Sequence, residues 1–567
     1  MEVSQLLWMM VLCAISMCFM FPAPVDCDPI KIDFNVCKNA IYSTSLRPGG
    51  PTEIIHCCPV KPTKPIIDGP PPPSTDYIRV RKASQCTGEE YAEKLKKAYA
   101  LMRALPDDDP RSLSQQWQLH CAYCGGSFLT MNSSRVPQGV DIHFGWHFFP
   151  WHRWYLYFHE RILQKLIGDP DLSLNYWNWD APYTVGDGSS KDGACLKYGA
   201  DFPYFYDDTS SGLYDVNRSM MAKGYGRLHF PDLSFTPLLA AEAQLLYNAS
   251  AEDIIESNLH IMNQALVTGG TTTETFMGAP YRAGESTDGP PTASTGTLEV
   301  SAHSAVHSWT GKDPPNNDMG QLSRASRDPV FFAHHSNVDR MWQVWKDIGP
   351  ILGQKREYYT DPDFLNAEFL FYDENKDLRR VKVIDSLDTK KLGYVYQAAN
   401  DAPWIFFNAT KCSKLSYYEL IAQAERLPVR TKDSKGYYTL EGGKTFIFIV
   451  DRPENPHGLE EFLTIDGIKL DRSWSTGFDV FVDWLKPGEV TAPCKCAEFS
   501  GRFTNLAQNR EVTDGKADLA WKQSISKSLD EIEAPEAPSK IVITLVPFYK
   551  HGDSNETIKF KCITVAT

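Results

Sequence analysis

The chain has 567 residues, more than one hydrophobic core can serve, so two or three domains are expected. With 42% hydrophobic and 23% charged residues it has the balance of a globular protein, not of a disordered or fibrous one. Its formal net charge of −14 argues against nucleic acid and anionic membrane surfaces as partners, because both need basic faces.

The chain opens with an apolar run, Leu6 to Phe21, that has the character of a secretory h-region, so residues 1–26 are expected to be a signal peptide. A signal anchor is the rival reading, and the run is not Ser- and Arg-rich as a plastid transit peptide would be. No later segment approaches the ~20 apolar residues that span a bilayer, so no membrane span is expected once the signal is removed. Five glycosylation sequons, at Asn132, Asn217, Asn248, Asn408 and Asn555, point the same way. The expected destination is the vacuole or the cell exterior, with a plastid lumen the weaker alternative. Residues 27–84 are Pro-rich and weakly periodic, with Cys37, Cys57 and Cys58 among them. A stretch too irregular to build a core reads as an arm pinned by disulfides in an oxidising compartment.

From Cys86 to Ala104 apolar residues recur at helical spacing, and SLSQQWQLHCAYC continues in the same way. A third helix is expected from Pro150, which suits a first turn, to Gly168, which suits a C-cap. Residues 182–235 read as loops, helical signals return between 237 and 266, and a histidine-rich region covers 299–345. Beyond Gly353 the runs become β-type, at 368–385, 439–451, 478–484 and 540–547. The expected architecture is a mainly α domain, a helical bundle over 85–350, then a linker at 351–402 and a C-terminal β-sandwich-like domain over 403–567.

The histidines carry the chemistry, in two clusters placed on expected helices. His303 and His307 are four apart and share a helical face, so two imidazoles can converge on one ion. His335, inside DPVFFAHHSNVDRMWQVW, completes a set of three. His120, in HCAYC, with His143 and His152 around GWHFFPWHRW, makes a second set. Three neutral imidazoles without thiolate or carboxylate lean towards copper, and the duplication suits a pair of copper ions that handles O2.

These two blocks resemble the copper-binding regions of the type-3 copper proteins, the tyrosinase and haemocyanin superfamily. FLFYDENKDLRRVKV, LGYVYQ, GFDVFVDW and CAEFSGRFTNL resemble the linker and tail of plant polyphenol oxidases. The resemblance runs from Cys37 to the C-terminus. It implies a first copper on His120, His143 and His152 and a second on His303, His307 and His335, with His334 not a ligand. It also implies a thioether between Cys124 and His143, and disulfides Cys37–Cys58 and Cys57–Cys121. Glu299 matches an acidic residue that holds a water beside the metal pair and is the candidate catalytic base. Tyr394 and Tyr396 match a motif that packs the linker on the catalytic domain.

The sequence departs from the common plant pattern at Ser304, Ser308 and Leu322, the expected substrate-pocket positions. Those departures put the balance of monophenol hydroxylation against diphenol oxidation in question. The resemblance implies oxidation of catechols to o-quinones with O2 reduced to water, by a latent pro-enzyme whose C-terminal domain covers the site. Alternatives are an oxidase dedicated to one aurone- or lignan-type precursor, and a haemocyanin-like O2 carrier. O2 and small phenols are the expected partners, and a monomer or weak oligomer the expected state. His147, His159, His56, His229, His260, His457 and His551 carry no supporting motif and are read as structural or surface residues.

Overall fold

A computed structural model describes residues 28–567, apart from 44–51, 132–138, 182–199, 221, 224–228, 235–248, 284–293, 312–317, 399–401, 443, 455–456, 473–474, 491, 509–517, 537–538 and 550–556. The expected signal peptide, the sequons at Asn132, Asn248 and Asn555, and His551 lie outside the described residues.

Six helices position the histidines: α1 (Glu89–Arg103), α2 (Leu113–Cys124), α3 (Phe148–Ile167), α4 (Ala251–Asn263), α5 (Ser304–Thr310) and α6 (Val330–Ile348). In α1 the buried face is Ala92, Leu95, Ala98, Tyr99 and Met102, the three- and four-residue spacing of one helical stripe. Ser112 caps α2 by accepting from the Gln115 amide. α3 starts at Phe148, two residues before the expected Pro150, which falls in the first turn where an amide N–H has no partner to lose. It ends where Gly168 turns left-handed at φ 68°. Every residue of α3 from Phe148 to Gln164 is buried, its charged members included, so this helix is enclosed on all sides and forms the centre of the bundle.

α3 and α6 are joined by charge as well as packing. Arg153 donates to Asp339 Oδ1 at 2.6 Å, and both side chains are buried. Tyr394 and Tyr396 donate to the other Asp339 oxygen at 2.9 and 2.5 Å. These tyrosines lie on β2 (Tyr394–Tyr396), which pairs in parallel with β1 (Arg79–Arg81) of the arm. The linker strand is thus stitched to α6, the helix that carries His335. The arm itself is fixed by disulfides Cys37–Cys58 and Cys57–Cys121, the second ending on α2 beside His120.

The C-terminal part holds β3 (Phe446–Arg452), β4 (Phe462–Ile468), β5 (Thr476–Val482), β6 (Phe499–Asn505), β7 (Leu519–Ser524), β8 (Ser539–Tyr549) and β9 (Cys562–Ala566). One antiparallel sheet has the order β3-β8-β5-β6, the other β7-β4-β9. Inward residues of both, among them Leu463, Ile465, Phe478, Val480, Phe503, Trp521 and Ile543, share one core. Gly501 lies where the sheets approach: a Cβ there would come 2.4 Å from Gln523 Oε1 and 2.7 Å from the Trp521 ring. Phe144 and Val300 of the helical part belong to the same core, so the β domain packs directly on the histidine-bearing segments. A further disulfide among the described residues, Cys412–Cys496, is additional to those the sequence implied. No helix among the described residues is long and apolar enough to cross a membrane.

Candidate metal centre

Each imidazole is set by its own element. His120 sits in the last turns of α2, and His152 in the second turn of α3, where its Nδ1 donates to the Phe148 carbonyl at 2.8 Å. His143 is not helical. It lies in a turn ahead of α3 in which Asp141 Oδ1 accepts from the His143 amide at 3.0 Å and Phe144 adopts φ 59°. An aspartate that bonds the backbone two residues on makes an Asx turn, which leaves no periodic signature to read. His303 ends a π-helical turn, Glu299–His303, and its Nδ1 donates to the Glu299 carbonyl at 3.0 Å. His307, on α5, donates from Nδ1 to the Met319 carbonyl at 2.7 Å. His335 comes from the first turns of α6.

An Nδ1–H given to a carbonyl leaves Nε2 as the lone-pair nitrogen, the orientation metal-ligating histidines use. The Nε2 atoms of His120, His143, His152 and His303 are buried without a hydrogen-bond partner. An unsatisfied buried polar atom costs roughly 1–3 kcal/mol, so several converging on one place call for a cation. The ligand atoms of His120, His143 and His152 lie within 4.8 Å of one another, and so do those of His303, His307, His334 and His335. The two groups adjoin: the His152 and His335 rings stack at 4.1 Å, and His307 Nε2 is 3.2 Å from His335 Nε2. Burial holds His120, His152, His303 and His335 well below the usual imidazole range and pushes His307 down to about 3. They are therefore neutral, as ligation requires. Two adjoining all-imidazole clusters without thiolate or carboxylate fit a dinuclear copper site.

Phe331 lies 4.1 Å from the His335 ring and 4.9 Å from that of His120, and Phe148 lies 4.8 Å from His303. These aromatics wall the site. Glu299 is buried: Oε1 accepts from the Phe144 amide at 2.8 Å, Oε2 has no partner, and burial raises its pKa well above the carboxylate range. Ser304 is buried with its hydroxyl donated to the Glu299 carbonyl at 2.7 Å, and Ser308 is buried on α5. Leu322 is buried and its amide donates to Ala507 O of the β domain at 3.1 Å. Its backbone also faces His120. Cys124 is a buried thiol one helical turn after His120, within electrostatic reach of Asp141 and Glu299.

The remaining histidines stand apart. His147 bonds Trp146 Nε1 at 2.8 Å and the Tyr281 carbonyl at 3.1 Å, and His159 bonds Tyr99 at 2.8 Å and Gln116 at 3.1 Å. His56, His229 and His457 are exposed, whereas His260 is buried against the β domain. His334, which the resemblance names as a non-ligand beside His335, joins the second cluster, and sequence reasoning singled out neither Asp141 nor Arg472. Arg472 pairs with Asp141 at 2.8 Å from more than 300 residues away, and no local pattern marks it.

The chain matches the common central domain of tyrosinase over residues 110–348, the polyphenol oxidase middle domain over 358–410 and the C-terminal domain of chloroplastic polyphenol oxidase over 444–567. It is 38% identical to a chloroplastic polyphenol oxidase of Vitis vinifera over 95% of this chain and 82% of that one. The structure of a latent aurone synthase, a polyphenol oxidase from its natural source, superposes with a TM-score of 0.78 at 30% identity, covering 95% of this chain and 99% of the other. A structure of active aurone synthase covers 65% of this chain and 99% of its own, at TM-score 0.54 and 34% identity. The plastid named for the grape enzyme is at odds with the secretory destination expected from the leader.

Proposed function

Because the chain belongs to the plant polyphenol oxidase family, oxidoreductases of the tyrosinase type with a dinuclear copper centre, we propose that it oxidises catechols to o-quinones with O2 as acceptor. The observation that carries this reading is the pair of adjoining, buried, all-imidazole clusters with orphaned Nε2 atoms. In this reading His120, His143 and His152 hold one copper and His303, His307 and His335 the other. The copper pair supplies the redox chemistry: two catechols give up four electrons and four protons, and one O2 becomes two waters.

The chain's own groups do the rest. Nδ1 bonds to the carbonyls of Phe148, Glu299 and Met319 hold three of the imidazoles in place before any ligand binds. A thioether from Cys124 would fix His143, which lacks such a bond to a carbonyl among the described contacts. Phe148 and Phe331, both fully buried, pack against the imidazoles and keep water from them. Glu299 Oε2 is the group placed to take and return a phenolic proton. The β domain lies over the site, with Ala507 bonded to Leu322, so the full chain is read as a latent form opened by removal of that cover.

A second reading, a dedicated oxidase of an aurone-type precursor, draws on the likeness to aurone synthase and on Ser304, whose hydroxyl is spent on a carbonyl. Oxygen uptake by the copper-loaded, uncovered enzyme separates these. Uptake with a simple catechol alone indicates a catechol oxidase, and uptake with the matching monophenol as well indicates a tyrosinase-type enzyme. Uptake with neither, at two coppers per chain, would refute the general oxidase.

A further inference from the structure

Arg472 reaches from the segment between β4 and β5 to the wall of the metal centre. Its Nη2 pairs with Asp141 Oδ2 at 2.8 Å, and its guanidinium carbon lies 4.7 Å from the centre of the Phe144 ring. The loop that presents it is anchored: the Arg472 carbonyl accepts from the Gln508 amide at 2.8 Å and from Asn505 Nδ2 at 3.3 Å. Both of its partners flank His143. Asp141 Oδ1 stands 3.3 Å from His143 Nδ1, and the Phe144 amide is bound to Glu299.

With the β domain in place, Asp141 is only 9% exposed and Phe144 only 7%. A carboxylate held that dry needs a cation, and an aromatic face beside it strengthens the choice. In the full chain the cover's own guanidinium meets that need. Once the cover leaves, a carboxylate and a ring remain at the edge of the site with their cation removed, and Glu299 adds no positive charge nearby.

We propose that Asp141 and Phe144 form a cation subsite, filled by Arg472 in the covered chain and by the ammonium group of a phenolic amine in the uncovered enzyme. This rests on the phenol-oxidase reading and names the substrate class of that same site. The ring is oxidised as in any catechol, and the subsite acts on binding and orientation. It also disfavours phenols with a carboxylate tail, which would face Asp141 directly.

The test uses the copper-loaded enzyme with the cover removed; a structure of active aurone synthase, matched over 99% of its own length, spans only 65% of this chain. Three catechols of equal tail length are compared, ending in an ammonium, a neutral and a carboxylate group. The ammonium catechol should exceed the carboxylate one by about tenfold in kcat/KM, through KM, and the gap should narrow as salt rises. Asp141→Asn should bring the ammonium-to-neutral ratio close to one, and Phe144→Leu should lower it part of the way; a ratio cancels any loss of copper common to both substrates. As a second readout, calorimetry should find that phenethylammonium, which has no ring hydroxyl to oxidise, binds about fivefold more weakly to Asp141→Asn. An Asp141→Asn enzyme that keeps the full preference, or a wild type that oxidises the neutral catechol but shows no preference, would overturn the subsite. Failure to oxidise the neutral catechol would count against the oxidase reading instead, and calorimetry would still decide the subsite.

Discussion

His334 and His335 are consecutive on α6, about 100° apart around the helix, yet both belong to the second cluster. Their surroundings separate them. His335 stacks on His152 of the first cluster and meets His307 nitrogen to nitrogen, so it lies between the two sets. His334 stacks on His303 at 5.2 Å and has Trp179 at 5.7 Å. We predict that His335→Ala loses one copper per chain and about a hundredfold or more of the turnover, since even supporting residues of a metal site are worth 10–100-fold. His334→Ala should keep two coppers and cost about 2–5 kcal/mol of stability through the cavity left by a fully buried ring. Metal analysis with denaturant melts checks both, and equal copper loss in the two variants would make His334 a ligand. At this scale the i, i+4 pair and the DPVFFAHH context made His303, His307 and His335 legible. The carbonyls that aim the rings come from Met319, Phe148 and Glu299 through folding, and Arg472 meets Asp141 through domain packing that no local spacing encodes.

α4 shows how an ordinary helix becomes part of a domain contact. Ser250 and Asp253 cap it reciprocally, and it carries His260 against the β domain. His260 Nδ1 donates to the Cys494 carbonyl at 2.9 Å, Nε2 is 3.1 Å from the Gln264 side-chain amide, and Gln523 Nε2 donates to Gln264 Oε1 at 2.8 Å. The rings of Phe407 and Phe499 flank it. This chain of bonds requires a neutral imidazole, and burial pushes the His260 pKa down from 6.5 to about 4. Above 6.5 neither the docked nor the undocked state binds the proton, so the contact is at full strength. As pH falls from 6.5 towards 4 the undocked state takes the proton first and docking weakens. Thermal melts between pH 7 and 4.5 should show this loss, and His260→Gln should flatten the slope; an unchanged slope would discount the role. Helix periodicity made α1, α2, α3 and α6 readable. The turn of His143 falls between the expected helices, where an Asx bond and a positive φ at Phe144, not periodicity, set it.

At the scale of the molecule, the β runs at 439–451, 478–484 and 540–547 marked the C-terminal domain, but not its pairing across two sheets or its seat on the metal centre. Long-range register is fixed by side chains that meet only in the fold, as Phe144 and Val300 do inside the β core. Cys412–Cys496 ties the segment after the linker to the approach of β6. Residues 425–432, which include Arg426, Arg430 and Lys432, are exposed. A tryptic cut there leaves Cys412 on the catalytic fragment, so the cover should stay attached on a non-reducing gel and separate only with a thiol reductant. Separation without reductant would contradict that tether. Whether two adjoining triads of histidine each hold a copper is decided by an anomalous difference map at the copper edge from copper-loaded crystals. Two peaks are expected, one among His120, His143 and His152 and one among His303, His307 and His335. A single peak, or strong density elsewhere in the chain, would contradict that arrangement.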